Sequence, residues 1–388
     1  MTSGLTCVDL FCGAGGFSLG FFNAGFDIVA ATDYQESARR TYTHNIDSPF
    51  LQADIADLAG DIGPLRDRGN FGDEIVDVVV GGPPCKGFST AGVYNPEDPR
   101  SSLLHHYIRV VKHLQPRAIV VENVPGAKGL KNGAYVDALL KNARELGYKT
   151  RMLELNAADY GVPQLRNRLI FVGYRDDSPV SPPVPTHTGD ARQKRLGEAS
   201  INKEHVTVAE AISDLSFLSS GEESSDYELP PQSEYQEQMR RYHDGPLFNH
   251  KATDHSDTVQ ERFRTLEEGE GIDDLPPRLQ TNKHSMRKYD RTEPAHTVTT
   301  LPEDFVHYEQ PRIPTVRELA RLQSFPDWFE FKGPRTTGGS RRIDSLPQYS
   351  QVGNAVPPLM AEAIGRHVKA TLTGQDPKAA AEARLNRS

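Results

Sequence analysis

Ile75-Val-Asp-Val-Val-Val80 runs without a break into Gly81-Gly-Pro-Pro-Cys-Lys-Gly-Phe-Ser89. The first six residues are β-branched apart from Asp77, the composition of a strand buried on both faces. Two prolines fix the backbone just ahead of Cys85, and glycines on either side let another molecule come close. A cysteine that served as a small hydrophobe would sit inside the apolar run. One step past a Pro-Pro pair, Cys85 is displayed at the carboxyl end of a strand, where open α/β sheets bind their ligands.

The same unit recurs on both sides. Leu5-Thr-Cys-Val-Asp-Leu10 reads as a strand, and Phe11-Cys-Gly-Ala-Gly-Gly16 as the turn into a helix that runs to about Ala24. Gly13-x-Gly15-Gly16-x-Ser18 lacks the third glycine of the dinucleotide fingerprint, which argues against a nicotinamide cofactor. Asp27 to Thr32 is a second strand closing on Asp33-Tyr34, and a third unit closes on Asp54-Ile55. Carboxylates at successive strand ends suit a nucleoside ligand, although each alone also fits an ordinary helix cap. Beyond Cys85, Ser101 caps a helix with apolar face Leu103, Leu104, Tyr107, Ile108, Val111 and Leu114. Ala118-Ile-Val-Val121 then delivers Glu122-Asn-Val124 to the sheet edge that carries Cys85. Lys149 to Leu155 and Leu169 to Gly173 complete the set, with Gln164-Leu-Arg166-Asn-Arg168 between them. This alternation predicts a doubly wound, mostly parallel α/β sheet.

Lys and Arg number 44 against 53 Asp and Glu, a net charge of −9, so a nucleic-acid partner requires a local basic surface. Thr281 to Arg291, with Lys283, Arg287, Lys288 and Arg291, is the best such segment, and a merely solvated face is the competing reading. Three cysteines make no disulfide framework. No stretch approaches the roughly 20 apolar residues of a membrane span, and the amino terminus lacks a signal-peptide pattern. The expectation is a soluble, cytoplasmic protein. His250 and His255 have zinc-like spacing with no cysteine nearby, so no metal site is expected. From Asp176 a proline-rich connector leads into a polar, loop-rich stretch; helical periodicity returns at Thr315 to Gln323 and again from Gln351 to about Leu372.

Asp9-Leu-Phe-Cys-Gly-Ala-Gly-Gly16, Gly82-Pro-Pro-Cys85, Glu122-Asn-Val124, Gln164-x-Arg166-x-Arg168, Arg317-Glu-Leu-Ala-Arg-Leu-Gln323 and Gln351-x-Gly-Asn354 resemble, in order, the motifs of the DNA (cytosine-5)-methyltransferases. The resemblance spans about Thr6 to Leu372 and is weakest between Pro179 and Gln280. It implies the S-adenosylmethionine-dependent methyltransferase fold with an inserted, smaller DNA-recognition domain. Residues 1–178 would open the catalytic domain, 179–311 would form the target-recognition domain, 312–373 would close the catalytic domain, and 374–388 would be a disordered tail. The resemblance further implies S-adenosyl-L-methionine as cofactor, leaving as S-adenosyl-L-homocysteine, and double-stranded DNA as partner. It also implies a bacterial, restriction-modification type protein, a companion restriction endonuclease and a monomer.

By residue, the resemblance implies Cys85 as nucleophile, Glu122 as acid, Arg168 on the cytosine O2 and Arg166 supporting the loop. It places Phe11 against the adenine, Asp33 on the ribose with the Tyr34 ring beside it in the cofactor site, Asp54 and Ile55 at the adenine edge, and Gly13, Gly15 and Gly16 against the cofactor by backbone. Asp9 and Pro83 would line the cofactor site, and Asn354 would lie near the methionine part. One residue departs: the family usually has Gln after the cysteine, and here Lys86 stands there.

The chemistry has its own logic. Carbon 5 of cytosine is a poor nucleophile until a thiolate adds to carbon 6 and splits the difficult step. An acid at ring N3 stabilises the charge that develops, and burial helps such a carboxyl keep its proton. A thiolate needs a pKa below the usual value of about 8.5, which nearby arginines favour. Carbon 6 is out of reach in a stacked duplex, so the base must be flipped out. Two rivals stand beside this reading. An RNA methyltransferase on the same scaffold is opposed by the long insert between Gly173 and Thr315, and a non-catalytic DNA-binding protein by intact Cys85, Glu122 and Arg168.

Overall fold

The computed structural model describes residues 4–84, 102–189, 203–281, 285–336 and 346–385. In chain order the first strands are β1 (Leu5–Leu10), β2 (Phe26–Asp33), β3 (Phe50–Gln52), β4 (Val78–Gly81), β5 (Ala118–Asn123), β6 (Lys149–Asn156), β7 (Gln164–Leu165) and β8 (Asn167–Tyr174). All but β7 join one seven-stranded sheet in the order β3-β2-β1-β4-β5-β8-β6. The run from β3 to β5 is parallel, and β8 enters antiparallel between β5 and β6. The doubly wound, mostly parallel sheet expected from the alternation is therefore present. Its order reverses between β1 and β4, and in such sheets that reversal opens the crevice that binds ligands.

Burial explains why these residues form these strands. Val78, Val79 and Val80 are each 0% exposed, and full burial of one such side chain contributes about 1.5–3 kcal/mol. Val79 faces a layer with Leu104, Tyr107, Ile108, Val111 and Leu114 of the Ser102–Leu114 helix, the apolar face expected there; Ser101 lies outside the described residues. Val78 and Val80 face the other layer, built from the Gly16–Asn23 and Pro358–Leu372 helices. Those two helices meet through small residues. A Cβ on Gly20 would lie 2.4 Å from Ala361 Cβ, and one on Gly365 would lie 2.9 Å from Ala24 Cβ. The two ends of the chain thus share one core.

A second core joins Val208, Ile212, Tyr235 and Val298 to Val316, Leu319, Phe325 and Val352. Ala14 and Leu19, in and just after the first motif, also pack in it, and the chain passes from it into the layer behind the sheet around Val356. In the Val316–Leu322 helix all seven residues are buried, Arg317, Glu318 and Arg321 among them. Glu318 takes a two-pronged hydrogen bond from Arg312 at 2.8 and 2.7 Å, and Arg321 pairs with Asp327 at 2.6 Å and Asp214 at 3.1 Å. The charged residues of this helix form an internal ion-pair network. The tail, expected to be disordered, forms a helix over Pro377–Leu385, with Asp376 accepting from Lys378 N and alanine-rich sequence favouring the helix without an apolar face.

Candidate active site

The crevice begins where β1 ends. Phe11 adopts a left-handed conformation (φ 59°), and Gly13 follows at φ 52°. Asp33, at the end of the neighbouring β2, accepts from Gly13 N at 3.0 Å and from Gln35 N at 2.9 Å, so its carboxylate locks this turn to the next. Burial raises the Asp33 pKa. The three glycines differ in what surrounds them. A Cβ on Gly15 would meet Ile46 at 2.4 Å, and one on Gly16 would meet the Val356 carbonyl at 2.1 Å. Around Gly13 no atom lies within 4 Å of that position. Gly16 is therefore required by packing against backbone, Gly15 by its left-handed φ of 103°, and Gly13 borders open space.

Tyr34 presents its ring to solvent, 63% exposed, while Phe11 is half-buried. Asp54 caps the Ile55–Gly60 helix through Ala56 N at 2.8 Å, and Ile55 is buried in the core beneath. Asp9 is fully buried under the turn. Its Oδ2 accepts from Ser18 N at 3.0 Å and Ser18 Oγ at 2.7 Å, and its Oδ1 has no partner. Burial pushes its pKa up to about 7.

On the other side of the crevice, β4 ends at Gly81, where a Cβ would lie 2.6 Å from the Leu10 carbonyl. Pro84 is the last described residue of the loop; Cys85 and Lys86 lie outside the described residues. The base of that loop is fixed from β5. Asn123 Nδ2 donates to the Pro83 carbonyl at 3.0 Å and to Tyr135 Oη at 2.8 Å. Glu122 Oε2 would lie 3.4 Å from a Cβ on Gly82. Its other oxygen lies 2.7 Å from Arg168 Nε, a contact of charges whose N–H is not aligned on the oxygen. Both side chains are nearly buried, 9% exposed for Arg168 and 14% for Glu122. Burial pulls the Arg168 pKa down and Glu122 opposes that pull.

Arg166, two residues before Arg168, does different work. Its guanidinium donates to the carbonyls of Val298 (3.0 Å), Gly353 (3.0 Å) and Ala355 (3.2 Å), and no carboxylate pairs with it among the described residues. Burial, with Arg168 beside it, lowers its pKa to about 9. Gln164 accepts from Val298 N at 2.8 Å and donates to Gln323 Oε1 at 2.7 Å, and Gln323 donates to the Val352 carbonyl at 2.7 Å. This buried polar hub joins the catalytic-side hairpin, the insert and the last motif. Asn354 ends the Gln348–Asn354 helix exposed, two residues before the Val356 carbonyl that touches Gly16. The last motif thus returns beside the first. Asn123, Gln164 and Gln323 stand within the motifs of the sequence reading, which assigns them no role; the available signal was an amide placed among charged or apolar motif residues, where burial demands partners.

In the insert, His187–Thr188 (β9) pairs with Lys203–Glu204 (β10), Arg287–Lys288 (β11) with Phe305–Val306 (β13), and Ala295–His296 (β12) with β7. The basic segment is mostly spoken for. Lys288 donates to the Leu266 carbonyl at 2.8 Å, and Arg291 pairs with Glu268 at 2.7 Å and lies over the Tyr308 ring. Lys283 lies outside the described residues, and Arg287 is exposed.

Residues 5–370 match the sequence model of the C-5 cytosine-specific DNA methylases. The chain belongs to this family. Its relatives include the Type II methyltransferase M1.HphI of Haemophilus parahaemolyticus, 38% identical over 94% of this chain and 86% of that protein. The Type II methyltransferase M.DdeI of Desulfomicrobium norvegicum is 34% identical over 94% of this chain and 88% of that protein. A solved E. coli prophage protein described as a DNA modification methyltransferase superposes with a TM-score of 0.72 at 26% identity, covering 95% of this chain and 99% of that one. As a C-5 cytosine methylase the protein is an S-adenosylmethionine-dependent enzyme that methylates carbon 5 of cytosine in DNA. Among the described residues no helix is long and apolar enough to cross a membrane.

Proposed function

We propose that the crevice between β1 and β4 holds the methyl donor on the β1–β3 side and a flipped cytosine on the β4–β8 side. The observation that carries this reading is the nearly buried Glu122–Arg168 pair, 2.7 Å apart, beside Gly82 at the root of the cysteine loop. Cys85 adds through its sulfur to carbon 6, Glu122 supplies a proton or hydrogen bond at N3, and Arg168 holds O2 while orienting Glu122. Carbon 5 takes the methyl group, then loses its proton as the Cys85–carbon 6 bond breaks. Arg166 acts at one remove, holding the hairpin through three carbonyls.

The residues fit S-adenosylmethionine. Open space beside Gly13, the exposed Tyr34 ring and the Asp33 and Asp54 carboxylates at adjacent strand ends suit a nucleoside with a charged tail. When bound, it supplies an electrophilic methyl group. Phe11 and Tyr34 would face the adenine, Asp33 the ribose, and Asn354 the methionine part; Pro83, held by Asn123, would border the sulfonium end. Asp9 supports the site from beneath by holding the start of the Gly16–Asn23 helix.

Duplex DNA would lie between the sheet and the insert. Residues 1–178 and those returning near 356–373 would do the chemistry, while the intervening insert reads sequence. The Type II names of the relatives favour a bacterial enzyme that shields host DNA from a companion endonuclease, and it would act in the cytoplasm as a monomer. The test is a duplex carrying 5-fluorocytosine at the target. Fluorine cannot leave as a proton does, so with methyl donor present the wild-type protein should become covalently attached and Cys85→Ala should not. Absence of attachment by wild-type protein would overturn the reading.

A further inference from the structure

The helix that follows Asp33-Tyr34 turns a polar stripe toward the returning end of the chain. On this Glu36–Asn45 helix, Ser37, Thr41 and Asn45 are spaced four residues apart and so lie on one face. Ser37 Oγ accepts from Leu346 N at 3.2 Å, and Thr41 Oγ1 accepts from Lys332 N at 2.9 Å while donating to Gln351 Oε1 at 2.6 Å. Asn45 brackets Glu330, donating to its carbonyl at 2.8 Å and accepting from its N–H at 2.7 Å. Gln351 completes the grip by donating to the carbonyls of Lys332 at 2.9 Å and Leu346 at 3.0 Å.

The same helix holds the first motif. A Cβ on Gly15 would lie 3.0 Å from the Tyr42 ring, and Tyr42 Oη donates at 2.9 Å to Ser18 Oγ, which in turn donates to Asp9. One helix therefore runs on from the Asp33-Tyr34 strand end, packs on the first-motif turn through Tyr42 and is fastened to the last-motif helix through Thr41. The Thr41–Gln351 bond bridges 310 residues of chain. Thr41 is fully buried and Gln351 is 1% exposed, so neither can fall back on water. Loss of the Thr41 hydroxyl would leave the Gln351 oxygen and the Lys332 N–H without that partner. The bonds of Ser37 and Asn45 end on backbone, whereas that of Thr41 reaches the helix that ends in Asn354.

We infer that Thr41 is a positioning residue for the methyl donor: through Gln351 it fixes the Asn354 end of the last-motif helix at the separation from the first-motif turn that the donor spans. This rests on the proposed reading that Gly13, Asp33, Tyr34 and Asn354 border the donor. Thr41 touches neither the donor nor the cytosine. Its loss lets the Asn354 end shift against Gly13, while Glu122 and Arg168 keep their pairing on β5 and β8. Binding held by distant segments depends on their being placed in advance. The signature is therefore a split, in which affinity for the donor falls and the rate at saturating donor does not.

The test uses the full-length protein, with donor KM and kcat from methylation of duplex DNA, S-adenosylhomocysteine affinity from calorimetry, and a thermal melt of each variant. Thr41→Val exchanges the hydroxyl for a methyl group at constant shape. It should raise the donor KM and weaken S-adenosylhomocysteine by about tenfold, while kcat and the KM for DNA stay within about twofold of wild type. Thr41→Ser keeps the hydroxyl and should restore donor affinity. Ile212→Val, in the second core, should lower the melting temperature with donor affinity unchanged. An unchanged donor KM in Thr41→Val would overturn the inference. So would a parallel fall in kcat, a failure of serine to restore binding, or an equal loss of donor affinity in Ile212→Val. If Thr41→Val does not fold, Asn45→Ala, half-buried on the same face, takes its place: a severalfold rise in donor KM supports the inference and no rise overturns it. Asn354→Ala separates the two levels. If it leaves donor affinity as in wild type, the reading of the donor site fails and the inference with it; if it weakens the donor and Thr41→Val does not, the inference alone fails.

Discussion

The sheet and the insert are held together by different forces. In the sheet, β4 and β5 bury unbroken runs of valine, isoleucine and alanine, and the close Glu122–Arg168 pair lies at the mouth of the crevice. In the insert, charge is structural. Arg312–Glu318 and Arg321–Asp327 are fully buried pairs, and Asp214 takes both Arg321 and Arg240. Charges stripped of water are costly unless fully partnered. A buried pair with every oxygen engaged therefore signals architecture, while the aligned-by-charge but imperfectly bonded Glu122–Arg168 contact leaves capacity for a substrate.

That contrast predicts opposite responses to the same kind of substitution. Glu122→Gln keeps shape and removes the acid, so kcat should fall by about 10²–10⁴-fold with the melting temperature little changed. Single-turnover methylation beside a thermal melt checks this; a large loss of stability with proportionate activity would make Glu122 a structural ion. Asp327→Asn should do the reverse. It strips Arg321 of its shortest partner and leaves buried charge uncompensated, a cost of about 3–5 kcal/mol seen in denaturant unfolding. Residual folded protein should keep its cofactor affinity.

How much of each region could be read beforehand follows from the same physics. Strands buried on both faces announce themselves as β-branched runs, and β1, β2, β4 and β5 fall close to where those runs lie. The crevice residues were legible because chemistry restricts residue type at strand ends. The insert was not. Its strands β9 to β13 are two residues long, too short for any period. Its core depends on Arg317, Glu318 and Arg321, whose types read as surface until their partners 107 residues away, as for Asp214 and Arg321, are known. Likewise Lys288 looked like a free cation, and only the Leu266 carbonyl reveals that it is occupied.

Acid and base should also divide the molecule. Burial lowers His307 to about 3 and His250 to about 4, and His307 Nδ1 accepts from Glu309 N and Gln310 N, as a neutral ring must. Between their ordinary value near 6.5 and these lower values the unfolded chain binds protons that the folded insert refuses. Its stability should therefore fall as pH drops through that window, by up to about 1.4 kcal/mol per pH unit per group. Asp9 runs the other way. Raised to about 7, it keeps its proton when folded, so its contribution is present at about pH 4 and is lost as pH rises toward 7. Hydrogen exchange followed by peptide should show protection around residues 307–323 declining from pH 6.5 to 4.5. Protection in β1 and the Gly16–Asn23 helix should be better at the acid end. Parallel behaviour of the two regions would contradict the division.

The smallest effect is expected at Gly13, and it stands out against Gly16 three residues on. Gly16→Ala drives a methyl group into the Val356 carbonyl, so both chain ends must separate and the protein should fail to fold. At Gly13 the protein offers no obstacle. Alanine there meets no atom within 4 Å, and the cost is backbone alone: holding an L-residue at φ 52° is worth about 1–2 kcal/mol. Gly13→Ala should thus fold with a modest loss of stability. If the open space beside it is where the methyl donor sits, affinity for S-adenosylhomocysteine measured by calorimetry should drop tenfold or more, beyond what the stability change accounts for. Unchanged affinity would mean that this space is not part of the cofactor site and that the turn serves the fold alone.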